Sequence, residues 1–180
     1  MTNDSLTGIY SAIVFDCADT LSRMDPSRAE LFRDVAGAAG ITLPLPDVER
    51  AYEIVDFAIK MKSSALGSHD AKLGFHHSIN AALCNLLGIQ RSLATLHPHL
   101  LAEFDRRRRW CPFPDVCETL RQLAFRVQLY VLANWDSDLP AVLRNADLDG
   151  FFRDALSSEM LGCEKHSSLG HRSFHLRPFM

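Results

Sequence analysis

The chain has 180 residues, 47% of them hydrophobic and 23% charged, with a net charge of -3. This is ordinary globular composition, long enough for one core or for one core with a small insertion. The weakly acidic balance gives no reason to expect a nucleic-acid partner, and no apolar run reaches the roughly 18–20 residues of a membrane helix.

The first ten residues, MTNDSLTGIY, carry Asp4 and no basic side chain, so they do not read as a secretory or organellar leader. The first element is a strand over Ile9 to Asp16. Three consecutive apolar residues, Ile13, Val14 and Phe15, run into Asp16, which suits a strand covered on both faces. A carboxylate that ends such a strand lies where parallel α/β sheets place their ligands. Capping of the following turn is the bland role for the same side chain.

A helical stretch follows. Asp25 before Pro26 reads as a cap with a first-turn proline, and Gly40 closes that helix. Asp47 is the expected cap of a second helix, in which Val48, Ala51, Tyr52 and Val55 fall at helical spacing. A third runs from about Asp70 to Leu87, with Leu73, Ile79, Leu83, Leu86 and Leu87 on its apolar side and Gly88 at its end. A fourth ends in the basic run Arg106 to Arg109, read as a solvated helix end. HPH, His97 to His99, reads as a helix break at Pro98. His76 and His77 are adjacent and point to different faces, and no H-x-x-x-H pair sits on a predicted helix, so zinc is not expected.

After CPFPD the pattern changes. Asp115 to Ala124 is helical, Val127 to Ala133 is a strand, Asp138 to Asn145 is helical, and Asp154 to Ser157 is a short strand. Strands separated by single helices predict βαβ units and a parallel sheet. The predicted layout is a split α/β core, residues 1–24 and 110–165, an all-helical insertion over 25–109, and an atypical tail, 166–180, that lacks Asp and Glu. The five cysteines are odd in number and form no C-x-x-C pair, which fits reduced thiols in the cytoplasm.

Three stretches in this order resemble the haloacid dehalogenase-like (HAD) hydrolases, in the branch with a helical cap between the first and second motifs. IVFDCADTL resembles the first motif, a hydrophobic strand followed by D-x-D-G-T-L. LYVLANWDSDLP resembles the second, a strand ending in Ser or Thr and then Asn. SSEMLGCEK resembles the lead-in to the third, which supplies a lysine. The resemblance spans residues 9 to 165 and implies a Rossmann-like parallel sheet core with an inserted all-helical cap. It implies Asp16 as the nucleophile, Lys165 as a second catalytic group, and Thr20 and Asn134 as substrate- or phosphate-binding residues. Magnesium is implied on Asp16 and the Ala18 backbone carbonyl. The substrate implied is a small phosphorylated or halogenated metabolite.

The chain departs from the motifs. Ala18 stands where the phosphatases of this family carry the general acid, and Asp19 is one place late. Ala133 replaces the second-motif hydroxyl, and His166 stands where proline is usual. The acids of a fourth motif are absent from the sequence, so the magnesium site and the C-terminal end of the core are expected to be incomplete. Impaired or absent hydrolase activity is therefore the expectation, and a non-catalytic binding protein on the same scaffold is the alternative. Haloacid dehalogenases expel halide and need neither the second aspartate nor a metal. Phosphonoacetaldehyde hydrolases carry Ala at that position and use a cap lysine, for which Lys60 and Lys62 are the candidates. An incomplete sheet leaves the first strand as an edge, and self-association through that edge is the expected macromolecular contact.

Overall fold

The computed structural model describes residues 11–60, 69–107, 109–163 and 165. The tail, 166–180, lies outside them, as do Ile9 and Tyr10 of the predicted first strand. The chain divides into two compact units, one comprising the residues up to Arg23 and from Trp110 onward, the other Met24–Arg109.

In the first unit, β1 (Ala12–Phe15), β4 (Gln128–Ala133) and β5 (Asp154–Ser157) form a parallel sheet in the order β1-β4-β5. The register sets Phe15 beside Val131 and Ala133 beside Ser157, so β4 and β5 end level and β1 ends two residues earlier, about 7 Å short. β4 lies between two neighbours, and every residue of it after Gln128 is buried. That is why it reads as an unbroken apolar run. β1 pairs on one side only among the described residues, and Val14 is 41% exposed. Val14 leaves one face of β1 open, so the expectation of cover on both faces fails there. α5 (Val116–Ala124) precedes β4, and α6 (Leu139–Asn145) lies between β4 and β5. Leu120, Leu129, Val131, Leu139 and Leu143 pack with Cys17 and Leu21 into one core. The two predicted strand–helix–strand steps are thus present, and the fold is α/β with a Rossmann-like parallel sheet.

β2 (Ser22–Asp25) and β3 (Arg109–Pro112) form a separate two-stranded sheet, and the unit boundaries fall within these strands. Neither strand was expected. Ser22 and Met24 are buried while Arg23 and Asp25 are exposed, a period of two that four residues carry too briefly to stand out.

The second unit holds four helices: α1 (Arg28–Ala38), α2 (Leu45–Lys60), α3 (His69–Leu86) and α4 (Leu93–Arg107). Leu31, Phe32, Val48, Leu83, Cys84 and Leu96 form its centre. Phe32 meets Tyr52 edge-on at 6.3 Å, and Arg28 lies over the Tyr52 ring while forking onto Asp56. The cap of α1 is Ser27, not Asp25. The Ser27 hydroxyl accepts from the Glu30 N–H, and the Glu30 carboxylate accepts from the Ser27 N–H, a reciprocal pair that outcompetes an acid two residues upstream. Asp47 is likewise no cap, because α2 starts at Leu45 and leaves Asp47 in its first turn. Pro98 lies inside α4 and does not break it. In the second turn it removes a single ladder bond, and Leu96 and Leu100 on either side stay buried and hold the helix in place. Leu83 is buried as expected on α3, whereas Leu73 and Leu86 are exposed. Among the described residues no helix is long and apolar enough to cross a membrane.

One histidine makes this unit pH-sensitive. The buried Asn80 amide donates to His97 Nδ1 at 2.9 Å, so that nitrogen carries no proton, and the His77 ring meets His97 edge-on at 5.0 Å. Burial, and then the charges of His77 and His76, hold His97 below the ordinary histidine range. A depressed folded value means that the unfolded chain binds the proton more readily. The stabilisation is full above the unfolded value, about 6.5, and is lost as pH falls through the folded one. Thermal unfolding between pH 7.5 and about 5 is expected to show a steeper loss of stability in the parent than in His97→Gln. Parallel curves would contradict it.

Candidate active site

The end of β1 is pinned by one carbonyl. Cys17 O accepts from the N–H groups of Thr20, Leu21 and Ser22, and Asp19 N donates to Ser22 O at 2.8 Å. Cys17 and Ser22 are buried beneath this turn, with Sγ and Oγ 3.8 Å apart. Burial, with the Asp16 charge adding to it, pushes the Cys17 thiol up despite the Ser22 hydrogen bond. A thiol so protonated is a poor nucleophile. Asp19 takes a φ of +57°, in the left-handed region that Asp tolerates better than most residues, and its side chain is exposed.

Asp16 follows β1 directly. Its Oδ1 accepts from Cys17 N at 2.9 Å, the turn-capping role, and also lies 3.3 Å from Lys165 Nζ. Both side chains keep access to solvent, 44% for Asp16 and 25% for Lys165. Asn134 follows β4 directly, and its Oδ1 accepts from Lys165 N at 2.7 Å. Asp16, Asn134 and Lys165 are therefore brought together at the carboxyl ends of adjacent parallel strands, where such sheets bind ligands. Thr20 is not joined to them: it is exposed and its N–H is used on Cys17 O. Ala133, at the hydroxyl position of the resemblance, is buried in the core. Ala18 is half-buried and bridges to Ser22. Lys62 lies outside the described residues, as does the side chain of Lys60.

The sequence did not announce what positions Asn134. Ser158, after β5, accepts from Trp135 N at 3.1 Å and donates to Trp135 O at 3.2 Å, and Glu159 N donates to the same carbonyl. The Glu159 carboxylate accepts from Ser137 N. Trp135 Nε1 donates to Asp138, and its ring meets Trp110 at 4.7 Å. The Trp110 indole N–H is buried with no partner among the described residues. A serine after a strand is a common helix cap, and Ser157 is that cap for α7 (Ser158–Leu161), so nothing in the pattern marked Ser158 as the clasp.

A carboxylate beside an ammonium supplies a nucleophile and a cation that stabilises charge on a bound anion. Asp16 is the one side-chain carboxylate of this set that could hold a magnesium ion, which keeps several of its own waters. Among the described residues no group of three or more His, Cys, Asp or Glu converges, and the Asp16 oxygen nearest a cation faces Lys165.

Parallel strands in the order β1-β4-β5, an acid after the first and a helical unit inserted between the first two of them define the α/β architecture. Solved structures share it. YfnB of Bacillus subtilis, described as a HAD-hydrolase and bound to magnesium, is similar with a TM-score of 0.68 at 18% identity, over 94% of this chain and 72% of that one. The L-2-haloacid dehalogenase of Xanthobacter autotrophicus gives 0.55 at 22% identity, over 93% and 64%. A structure named as a β-phosphoglucomutase, from Thermotoga maritima, gives 0.55 at 19%, over 84% and 62%. The protein therefore has the HAD-like fold, and it spans less than two thirds of the length of two of these three proteins. No protein-family model matches the sequence, and no curated protein does.

Proposed function

We propose that this chain is a hydrolase of HAD type with an aspartate nucleophile and impaired turnover. Its substrate would be a small phosphorylated or halogenated metabolite, and it would act in the cytoplasm with the helical unit as its cap. The 3.3 Å pairing of Asp16 with Lys165 at the mouth of the sheet carries this reading. Asp16 attacks and forms an ester, Lys165 balances the charge of the bound anion, and Asn134 anchors the Lys165 backbone. Thr20 belongs to the substrate-binding side only if ligand draws its loop inward. Ala18 leaves the leaving group without a proton donor at that position, so halide, which needs none, suits the site better than an alkoxide.

A non-catalytic binding role on the same scaffold is the second reading, favoured by alanine at both 18 and 133. A screen of haloacids and phosphate esters separates the two. Slow turnover that disappears in Asp16→Asn is expected. In heavy-oxygen water a carbon ester leaves label in the Asp16 carboxylate, whereas a phosphoryl ester leaves it in phosphate. Turnover unchanged in Asp16→Asn would refute the assignment.

A further inference from the structure

The stretch from Ser158 to Lys165 is tied to the loop after β4 at both of its ends. At the near end the Ser158 hydroxyl accepts from Trp135 N and donates to Trp135 O, at 3.1 and 3.2 Å, and the Glu159 carboxylate accepts from Ser137 N. At the far end Lys165 N donates to Asn134 Oδ1 at 2.7 Å. Between them Gly162 N and Cys163 N donate back to the carbonyls of Glu159 and Ser158, and Gly162 turns the chain with a φ of +67°. The lysine whose ammonium lies 3.3 Å from Asp16 is thus the last link of a closed loop that begins at Ser158.

The Ser158 hydroxyl acts on Asn134 through the backbone. Trp135 N belongs to the planar peptide unit that joins Asn134 to Trp135. Pinning that unit fixes the chain on one side of the Asn134 Cα, and the buried end of β4 fixes it on the other. The direction of the Asn134 side chain is then set, and its oxygen meets Lys165 N. The bond of the Trp135 indole to Asp138 and its contact with Trp110 restrain the ring, whereas Ser158 holds the peptide itself. Its single hydroxyl proton goes to Trp135 O, so none is left for a substrate. We propose that Ser158 is a positioning residue, which sets Lys165 against Asp16 by way of Trp135 and Asn134. The kinetic consequence rests on the proposed hydrolysis; the placement of the lysine does not.

Amide hydrogen exchange of the full chain, resolved by NMR with no substrate present, tests the placement. The Lys165 amide is expected to be protected in the parent, and Ser158→Ala should speed its exchange at least about tenfold. At Val131, buried in the middle of β4, the change should be smaller. Asn134→Ala should also free the lysine amide, and the double variant should exchange no faster than Asn134→Ala alone, because both act through one bond. Ser158→Thr keeps the hydroxyl and should keep the protection. Lys165 exchange that is equal in parent and Ser158→Ala, equal changes at Val131 and Lys165, or additive effects in the double variant would overturn the inference. With a haloacid as substrate, Ser158→Ala should lower kcat by up to about 10²-fold, and Ser158→Thr should restore it. A freed lysine amide with unchanged turnover would count against the hydrolysis and leave the placement standing.

Discussion

Hydrolysis of phosphate monoesters by this chain is expected to depend steeply on the basicity of the leaving group. A general acid contributes roughly 10²–10⁴ to such a step by protonating the departing oxygen. Ala18 cannot do this, and Asp19 has its side chain exposed at the left-handed position of the turn. An aryl ester whose phenol leaves as the anion gives up little without the acid, whereas an alkyl ester bears the full loss. The aryl ester should therefore react roughly 10²–10⁴ times faster than an alkyl ester of similar size. Steady-state rates over a series of esters, with Asp16→Asn as the blank, measure this. A flat series dependent on Asp16 would mean that another group donates the proton. Haloacid turnover should show no such penalty, because halide departs unprotonated.

Phe32→Ala should cost the helical unit about 3–5 kcal/mol, the usual range for emptying a buried aromatic site. Phe32 is fully buried among Leu31, Val48, Leu83 and Leu96, and it loses its edge-on contact with Tyr52 when truncated. Three neighbouring helices contribute to that centre, so the cavity cannot close by moving one of them. Set against the roughly 5–15 kcal/mol of a typical domain, this is a large fraction of the total. The thermal midpoint should fall by roughly 6–20 °C. Phe125→Ala is the matched control: the same side chain is 87% exposed there, and its removal should stay within about 0.5 kcal/mol. Similar shifts for the two variants would mean that Phe32 is not at the centre of a packed unit.

Much of this was legible before the fold was known. Wherever burial and local pattern coincide, the elements can be read from residues: β4 is an apolar run because both its faces are covered, and α5 and α6 show periodic Leu and Val because one face of each packs on the sheet. The acid after β1 was legible as well, since a carboxylate that ends an apolar strand sits at the sheet's mouth, whereas the asparagine after β4 was legible only through the motif resemblance. The α1 cap was misread because Ser27 and Asp25 are both good cap residues in isolation. Only the return bond from Glu30 decides between them.

What the residue pattern determined by itself is therefore the α/β class, the helical insertion, and Asp16 as an acid at the end of an apolar strand; Asn134 and Lys165 came only from the resemblance to the HAD motifs. Local periodicity and turn chemistry write the former into the chain. Tertiary structure alone decided the order β1-β4-β5, the β2–β3 pairing and the retention of Pro98 within α4. It alone also decided that Asn134 holds the Lys165 backbone, that Ser158 clasps Trp135, and that Thr20 stands apart. Each of these depends on which segments distant in sequence share a hydrogen bond or a packed face. That is settled by the free energy of the whole fold rather than by any window of residues.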